Sequence, residues 1–209
     1  MVKVKICGIT NLEDAFFASF AGADAIGFIF SKKSPRYISG KRASEIIRQL
    51  DPFLIKVGVF LDQEKREVLD IASSLDLDVL QFHGKENPGY CHYFKPRFKV
   101  IKVFFPEDSP YEGKILRYKV DAFMFDIKYD QKIKGNGTLS ANSLKEVGCL
   151  IKKGRRVIIS GGLNPKNISK LKRLKPYALD VASGVERMVG KKDEQLIKAF
   201  IKKVKYEVT

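Results

Sequence analysis

Eight short apolar runs, rich in β-branched and aromatic residues, recur about every 20–35 residues along this chain of 209. They span residues 2–7, 25–30, 55–60, 79–82, 100–104, 122–125, 157–160 and 178–181. Several are apolar throughout instead of alternating, as expected of strands covered on both faces in a parallel sheet. The segments between them carry helical spacing and start signals. Asn11 precedes Leu12-Glu13-Asp14, a cap followed by an acidic first turn. Ala43, Ile46, Ile47 and Leu50 fall on one helix face. Asp62 is placed to cap a helix burying Val68, Ala72 and Leu75. Ser140 can cap one burying Leu144, Val147 and Ile151, with Gly154 just past its end. Ser109-Pro110 and Asn164-Pro165 each read as a capping residue before proline at the first helical position. Leu196, Phe200 and Val204 mark a last helix.

Strand–helix alternation with crossover-length connections builds βαβ units that wind in one sense. Eight such units either close into a barrel or form an open doubly wound sheet. No G-x-G-x-x-G follows the first run, as a dinucleotide-binding open sheet requires. The glycines suited to phosphate come instead after runs seven and eight, where barrels commonly carry that site. No linker, low-complexity tract or composition break divides the chain. The expectation is an α/β protein, a single-domain (β/α)8 TIM barrel over residues 1–209.

A content of 44% hydrophobic residues, 15 of them Phe, supplies a sizeable core. No apolar run approaches the ~18 residues of a membrane span, and the N-terminus lacks a signal peptide's apolar stretch. Cys7, Cys91 and Cys149 are odd in number and lack C-x-x-C spacing, so they read as reduced thiols of a cytoplasmic protein. With only His83 and His92, the chain offers no cluster of metal-ligand spacing. Neither a metal nor a cofactor is expected. The net charge is +15, and residues 105–209 carry 23 Lys/Arg against 12 Asp/Glu. Such an excess suits an anionic ligand or nucleic acid. Most aromatics, however, fall within the strand and helix faces and not among exposed basic residues. A lysine-rich solvated surface is the simpler reading, and neither a nucleic-acid nor a membrane partner is expected.

In a barrel of this kind the chemistry sits at the C-terminal ends of the strands. Cys7 ends run one, Arg36 lies on the loop after run two, His83 follows run four and Asp126 follows run six. Gly161 and Gly162 follow run seven, while Asp180, Ser183 and Gly184 lie at the end of run eight. The four loop residues, Gly161, Gly162, Ser183 and Gly184, look like a monophosphate cup of backbone amides, with Asn164-Pro165 expected to open a helix beside it. A thiolate at Cys7 can act as general base and a carboxylic acid at Asp126 as general acid, given suitable surroundings. Each is also readable as a structural residue, Cys7 as a small buried hydrophobe and Asp126 as a hydrogen-bond acceptor. Arg36 can grip a carboxylate with two prongs or be an ordinary solvated arginine. His83 can donate to a substrate or tie loops together.

These strand ends spell a set of segments: Lys5-Ile6-Cys7-Gly8-Ile9-Thr10, Lys33-Ser34-Pro35-Arg36-Tyr37-Ile38-Ser39, Val57-Gly58-Val59-Phe60, Leu80-Gln81-Phe82-His83-Gly84, Ser160-Gly161-Gly162-Leu163 and Ser183-Gly184-Val185-Glu186. In content and order, along essentially the whole chain, the set resembles the phosphoribosylanthranilate isomerases of tryptophan biosynthesis. The resemblance implies a cofactor-free Amadori rearrangement of N-(5'-phosphoribosyl)anthranilate to 1-(2-carboxyphenylamino)-1-deoxyribulose 5-phosphate. It implies Cys7 as general base, Asp126 as general acid, Arg36 on the anthranilate carboxylate, and Gly161, Gly162, Ser183 and Gly184 on the phosphate. The partner it implies is a small phosphosugar-anthranilate substrate, bound by a monomer or homodimer. Three positions depart from the family pattern. The usual Gly-Gly-Thr/Ser-Gly and Phe-Asp-Trp after strand six give way to Lys134-Gly135-Asn136-Gly137-Thr138-Leu139-Ser140-Ala141. Ala182 replaces a serine, and Val189 a common proline. Other phosphosugar barrels fit less well. Epimerases use His/Asp metal clusters, and indole-glycerol-phosphate synthases are longer and rely on a lysine and glutamates in other motifs.

Overall fold

A computed structural model describes residues 1–126 and 139–206. Eight strands, β1 (Lys3–Cys7), β2 (Ala25–Ile29), β3 (Ile55–Phe60), β4 (Val79–Phe82), β5 (Lys99–Phe104), β6 (Ala122–Phe125), β7 (Val157–Ile159) and β8 (Ala178–Val181), form a closed barrel in chain order. Every pairing is parallel, and closure comes from β1 against β8, with Lys5 opposite Asp180. Each apolar run of the sequence coincides with a strand to within a residue or two at either end.

The connecting helices are α1 (Leu12–Phe20), α2 (Gly40–Ile47), α3 (Lys65–Ser74), α4 (Pro88–Phe94), α5 (Tyr111–Ile115), α6 (Ala141–Lys152), α7 (Ile168–Lys172) and α8 (Glu194–Lys205). Asn11 caps α1 by accepting from the Asp14 amide, and Ser140 caps α6 by accepting from the Ser143 amide. Gly154, φ 75°, ends the turn beyond α6 in the left-handed region, where glycine carries no Cβ penalty. Ala43 and Ile46 of α2 are buried, as are Phe200 and Val204 of α8.

Three expected caps do not form. Asp62, φ 56°, lies before α3, whose cap position is Glu64, and its carboxylate takes the Lys85 amide of the next loop. Pro110 occupies the cap position of α5, while the Ser109 hydroxyl donates to Glu146 of α6. Asn164 accepts from the amides of Lys166 and Asn167, closing a turn that delays α7 until Ile168. In each case the polar side chain found a tertiary or turn partner that local sequence does not reveal.

The core has two layers. The larger lies between barrel and helices and contains Phe28, Phe60, Phe82, Phe94 and Phe125, all essentially inaccessible. Burying each such ring contributes roughly 1.5–3 kcal/mol. The smaller cluster, Ile101, Val103, Ala122, Met124, Ile158 and Ala178, fills the barrel interior. After β8 a short 3-10 turn, Ser183–Val185, leads into a two-stranded hairpin of β9 (Glu186–Met188) and β10 (Lys191–Lys192). Among the described residues no helix is long and apolar enough to cross a membrane.

Candidate active site

Strand side chains alternate between the two faces of a sheet. Val4, Ile6, Leu80, Phe82, Phe123, Phe125, Val157, Ile159, Leu179 and Val181 belong to the outer layer. The opposite parity, carried to the strand ends, sends Lys5, Cys7, Gln81, His83, Asp126, Ser160 and Asp180 inward. Above the interior cluster lies a cavity of about 700 Å³, lined by Cys7, Arg36, His83, Asp126, Gly161, Gly162, Asp180 and Ser183 among others. Of the residues singled out in the sequence, only Gly184 is not on its wall. Gly184 is pressed against the β7 loop, where a Cβ would overlap the Leu163 carbonyl.

Cys7 is buried at the end of β1, and Gly27 on β2 leaves the room it needs. A Cβ on Gly27 would meet the Cys7 Sγ at 2.8 Å and the Lys5 Nζ at 3.0 Å. Burial pushes the Cys7 thiol above its ordinary value, and the Lys5 ammonium beside it opposes that push. Burial would likewise lower Lys5, but the Asp180 carboxylate and Cys7 hold it above its usual range. Lys5 Nζ lies 2.7 Å from Asp180 Oδ1. The Cys7 thiol therefore sits beside a buried ion pair and not in a purely apolar pocket.

Asp126 is 3% exposed, so its carboxyl is removed from bulk water. Its Oδ2 lies 3.2 Å from Ser160 Oγ, which is also 3.2 Å from Asp180 Oδ2. His83 Nε2 stands 3.6 Å from the same Asp126 oxygen, and the Gln81 amide nitrogen is 3.1 Å from His83 Nδ1. His83 thus lies between the Gln81 amide and the Asp126 carboxyl, its Nδ1 toward Gln81 and its Nε2 toward Asp126.

Arg36 differs from the expected substrate-facing fork. Its Nε and Nη2 grip the Glu186 carboxylate at 2.7 and 2.6 Å, and Lys192 Nζ reaches the same carboxylate at 2.9 Å. Burial would raise Glu186, but these two cations hold it below its ordinary value. Glu186 thus fixes the guanidinium at the cavity wall.

The glycine loops have the shape of an anion cradle without the expected helix terminus. Gly161 and Gly162 adopt φ of 89° and 62°, conformations that glycine takes without strain. Among the described residues neither of their amides enters a hydrogen bond. Because α7 starts only at Ile168, no helix N-terminus adjoins these loop amides. The part of the departing segment at 134–138 lies outside the described residues.

Lys5, Gln81, Ser160 and Glu186 were not singled out from sequence. The available signal was parity, since each stands an even number of residues from an inward strand-end residue or within a motif already noted. Among the described residues no group of His, Cys, Asp and Glu could hold a metal ion.

The family model for N-(5'-phosphoribosyl)anthranilate (PRA) isomerase matches residues 4–203. A Thermotoga neapolitana N-(5'-phosphoribosyl)anthranilate isomerase is 42% identical over 207 residues, covering 98% of this chain and 99% of the relative. One from Geobacter sp. strain M21 is 41% identical, with 98% of each covered. The crystal structure of the Thermotoga maritima phosphoribosyl anthranilate isomerase superposes with a TM-score of 0.89 at 40% identity, covering 98% of this chain and 99% of that one. With a matching family model, relatives above 40% identity and the same closed barrel, the chain belongs to the N-(5'-phosphoribosyl)anthranilate isomerase family.

Proposed function

We propose that this protein isomerises N-(5'-phosphoribosyl)anthranilate to 1-(2-carboxyphenylamino)-1-deoxyribulose 5-phosphate in tryptophan biosynthesis. The observation that carries the reading is the single cavity that gathers a buried thiol, a buried carboxyl, an anchored arginine and two glycine loops. A related structure was solved in complex with reduced 1-(o-carboxyphenylamino)-1-deoxyribulose 5-phosphate, and it covers 98% of this chain at 39% identity with a TM-score of 0.83. In the proposed mechanism Asp126 protonates the furanose ring oxygen, opening the sugar to a Schiff base. Cys7 then removes the proton from C2, and the resulting enolamine tautomerises to the ketone. Both enzymic steps are proton transfers, so one acid and one base suffice. The decisive experiment is a fluorescence assay of phosphoribosylanthranilate loss by purified, folded protein in the presence of EDTA. Absence of turnover there would sink the reading.

Two binding predictions follow from the walls of the cavity. Inorganic phosphate is expected to compete with substrate at the Gly161, Gly162, Ser183 and Gly184 loops, because several converging amides favour a multiply charged anion. Ala182 in place of serine should weaken this site without abolishing it. Purely non-competitive inhibition would count against the assignment. Arg36→Ala is expected to weaken substrate affinity more than Arg36→Lys, since lysine keeps charge but loses the planar contact. Equal affinity of both variants and wild type for a product analogue would reduce Arg36 to scaffolding for Glu186.

The assembly is proposed as a monomer or homodimer in the cytoplasm. One solved relative is described as a monomeric variant of the dimeric Thermotoga maritima isomerase. Sedimentation of the purified chain reads its own state directly.

A further inference from the structure

Arg36 is located at both ends of its side chain. The stem packs over Gly8, where an added Cβ would come within 2.6 Å of Arg36 Cδ, and the guanidinium grips Glu186. Glu186 Oε1 accepts from Arg36 Nε at 2.7 Å and from Lys192 Nζ at 2.9 Å, so one carboxylate oxygen sits between two cations. The Lys192 side chain is fully buried, and its Nζ also donates at 3.1 Å to the carbonyl of Ala182, just past β8. Lysine is almost never buried in this way unless paired. Stability alone does not call for it, since apolar groups in place of buried ions often serve a fold as well. Nor does the hairpin depend on the ammonium. Thr10 Oγ1 donates to the Gly190 carbonyl at 2.6 Å, the Lys192 amide to Asp14 Oδ2 at 2.9 Å, and the Asp193 amide to the Val185 carbonyl at 2.9 Å. Backbone groups therefore already tie β9 and β10 to α1 and to the 3-10 turn.

We propose that Lys192 is a positioning residue for substrate binding: its ammonium locks the Glu186 carboxylate, and Glu186 in turn aims Arg36 at the carboxylate of the substrate. A two-pronged arginine–carboxylate contact fixes the two groups relative to each other, but the pair can still swing together on its two flexible stems. The third contact, from Lys192, removes that freedom because Lys192 is itself held at both ends. Its amide is on Asp14 of α1, and its ammonium is on Ala182. Ala182 directly precedes Ser183 of the loop proposed for phosphate. One side chain thus ties the carboxylate grip to the phosphate loop. The substrate carries an anion at each end, so the spacing of the two grips is what the site must hold constant. The proposal rests on the isomerase reading for the identity of the substrate, though not for the bracing of Arg36.

Burial lowers the Lys192 ammonium from its ordinary value, and Glu186 is the chief influence opposing that shift, while Arg36 adds repulsion. The carboxylate between them is what lets two cations share this corner of the wall. Lys192→Met keeps the length of the stem and leaves Glu186 paired with Arg36, so no carboxylate is stranded. It removes the third contact and spares the ion pair. The competing account makes Lys192 a structural filler, whose loss would weaken every ligand alike.

Titration calorimetry with two ligands separates these accounts. One is reduced 1-(o-carboxyphenylamino)-1-deoxyribulose 5-phosphate, and the other is its phenylamino counterpart, which lacks the carboxylate. Lys192→Met should bind the first roughly tenfold or more weakly than wild type, the order of one charge-assisted contact, and the second within about twofold of it. In turnover the loss should appear in KM, with kcat within about threefold of wild type. In an Arg36→Ala background, Lys192→Met should add no further loss for the carboxylated ligand. Equal weakening of both ligands would overturn the proposal, and so would a full loss that persists without Arg36. Nitrogen-15 NMR of the Arg36 Nε–H, assigned by its absence in Arg36→Lys, reads the brace with no ligand bound. The resonance should be sharp and slow to exchange in wild type, and broader or faster to exchange in Lys192→Met; an unchanged resonance would also overturn the proposal. Should Lys192→Met fail to fold, the near-isosteric Glu186→Gln carries the same pair of titrations, with the same selective loss expected and equal losses again decisive against it. A braced Arg36 resonance in a protein that turns over no phosphoribosylanthranilate would leave the brace standing and remove the isomerase reading.

Discussion

Cys7→Ser and Asp126→Asn are each expected to lower turnover by on the order of 10²–10⁴, with little change in substrate affinity. Serine keeps the size of the thiol but is far too weak an acid to form an anion near neutrality, whereas a free cysteine titrates near ~8.5. Asparagine keeps the shape of Asp126 and has no acidic proton to deliver. Both changes are close to isosteric, so circular dichroism and thermal unfolding should remain near wild type. The pH profile should carry the same assignment. Burial pushes the Cys7 thiol upward, so the rising limb, which follows thiolate formation, should lie toward the alkaline side of an ordinary cysteine. Lys5 opposes that shift, and removing its positive charge in Lys5→Met should move the rising limb to still higher pH. Near-full turnover by Cys7→Ser would take the base out of this mechanism.

The largest expected effect on stability comes from outside the cavity chemistry. Lys102 on β5 shares the outward parity of Val100 and Phe104, yet it is 3% exposed and stands opposite Phe82 of β4 and Phe123 of β6. Its ammonium is satisfied by the Gly84 carbonyl at 2.6 Å, Glu86 Oε2 at 3.0 Å and the Phe82 carbonyl at 3.4 Å. Glu86 in turn accepts the amides of Asp62 and Gly84, both at 2.9 Å, which ties the β3 and β4 loops together beside His83. Lys102→Met matches the length of the stem but strands a buried carboxylate. Breaking a buried pair from one side costs about 3–5 kcal/mol. For a chain of this size that is a fall in melting temperature of roughly 6–20 °C. A loss under about 1 kcal/mol in denaturant unfolding would show that water reaches Glu86 and that the pair is not structural.

Much of this protein was legible without coordinates, for a definite reason. Strands buried on both faces must be apolar throughout, so all eight stood out as runs, and their spacing left room for one helix each. The strand-end rule then turned Cys7, Asp126, His83 and the two glycine loops into a shortlist, and tertiary structure brought all but Gly184 to one cavity wall. Helix starts were less legible. Asn11 and Ser140 cap locally, but Asp62, Ser109 and Asn164 each hydrogen-bond elsewhere, because an exposed polar side chain is claimed by whichever backbone group or neighbour comes closest after folding.

Sequence alone determined the barrel and the family, since the spacing of apolar runs and the order of motifs are properties of the chain itself. Tertiary structure decided who pairs with whom. That Arg36 is held by Glu186, 150 residues away, and Lys5 by Asp180, 175 residues away, follows from closure of β1 on β8 and from the hairpin beyond it. The partners of a buried charge set its protonation and its direction, and such partners meet only when strands far apart in sequence become neighbours in space.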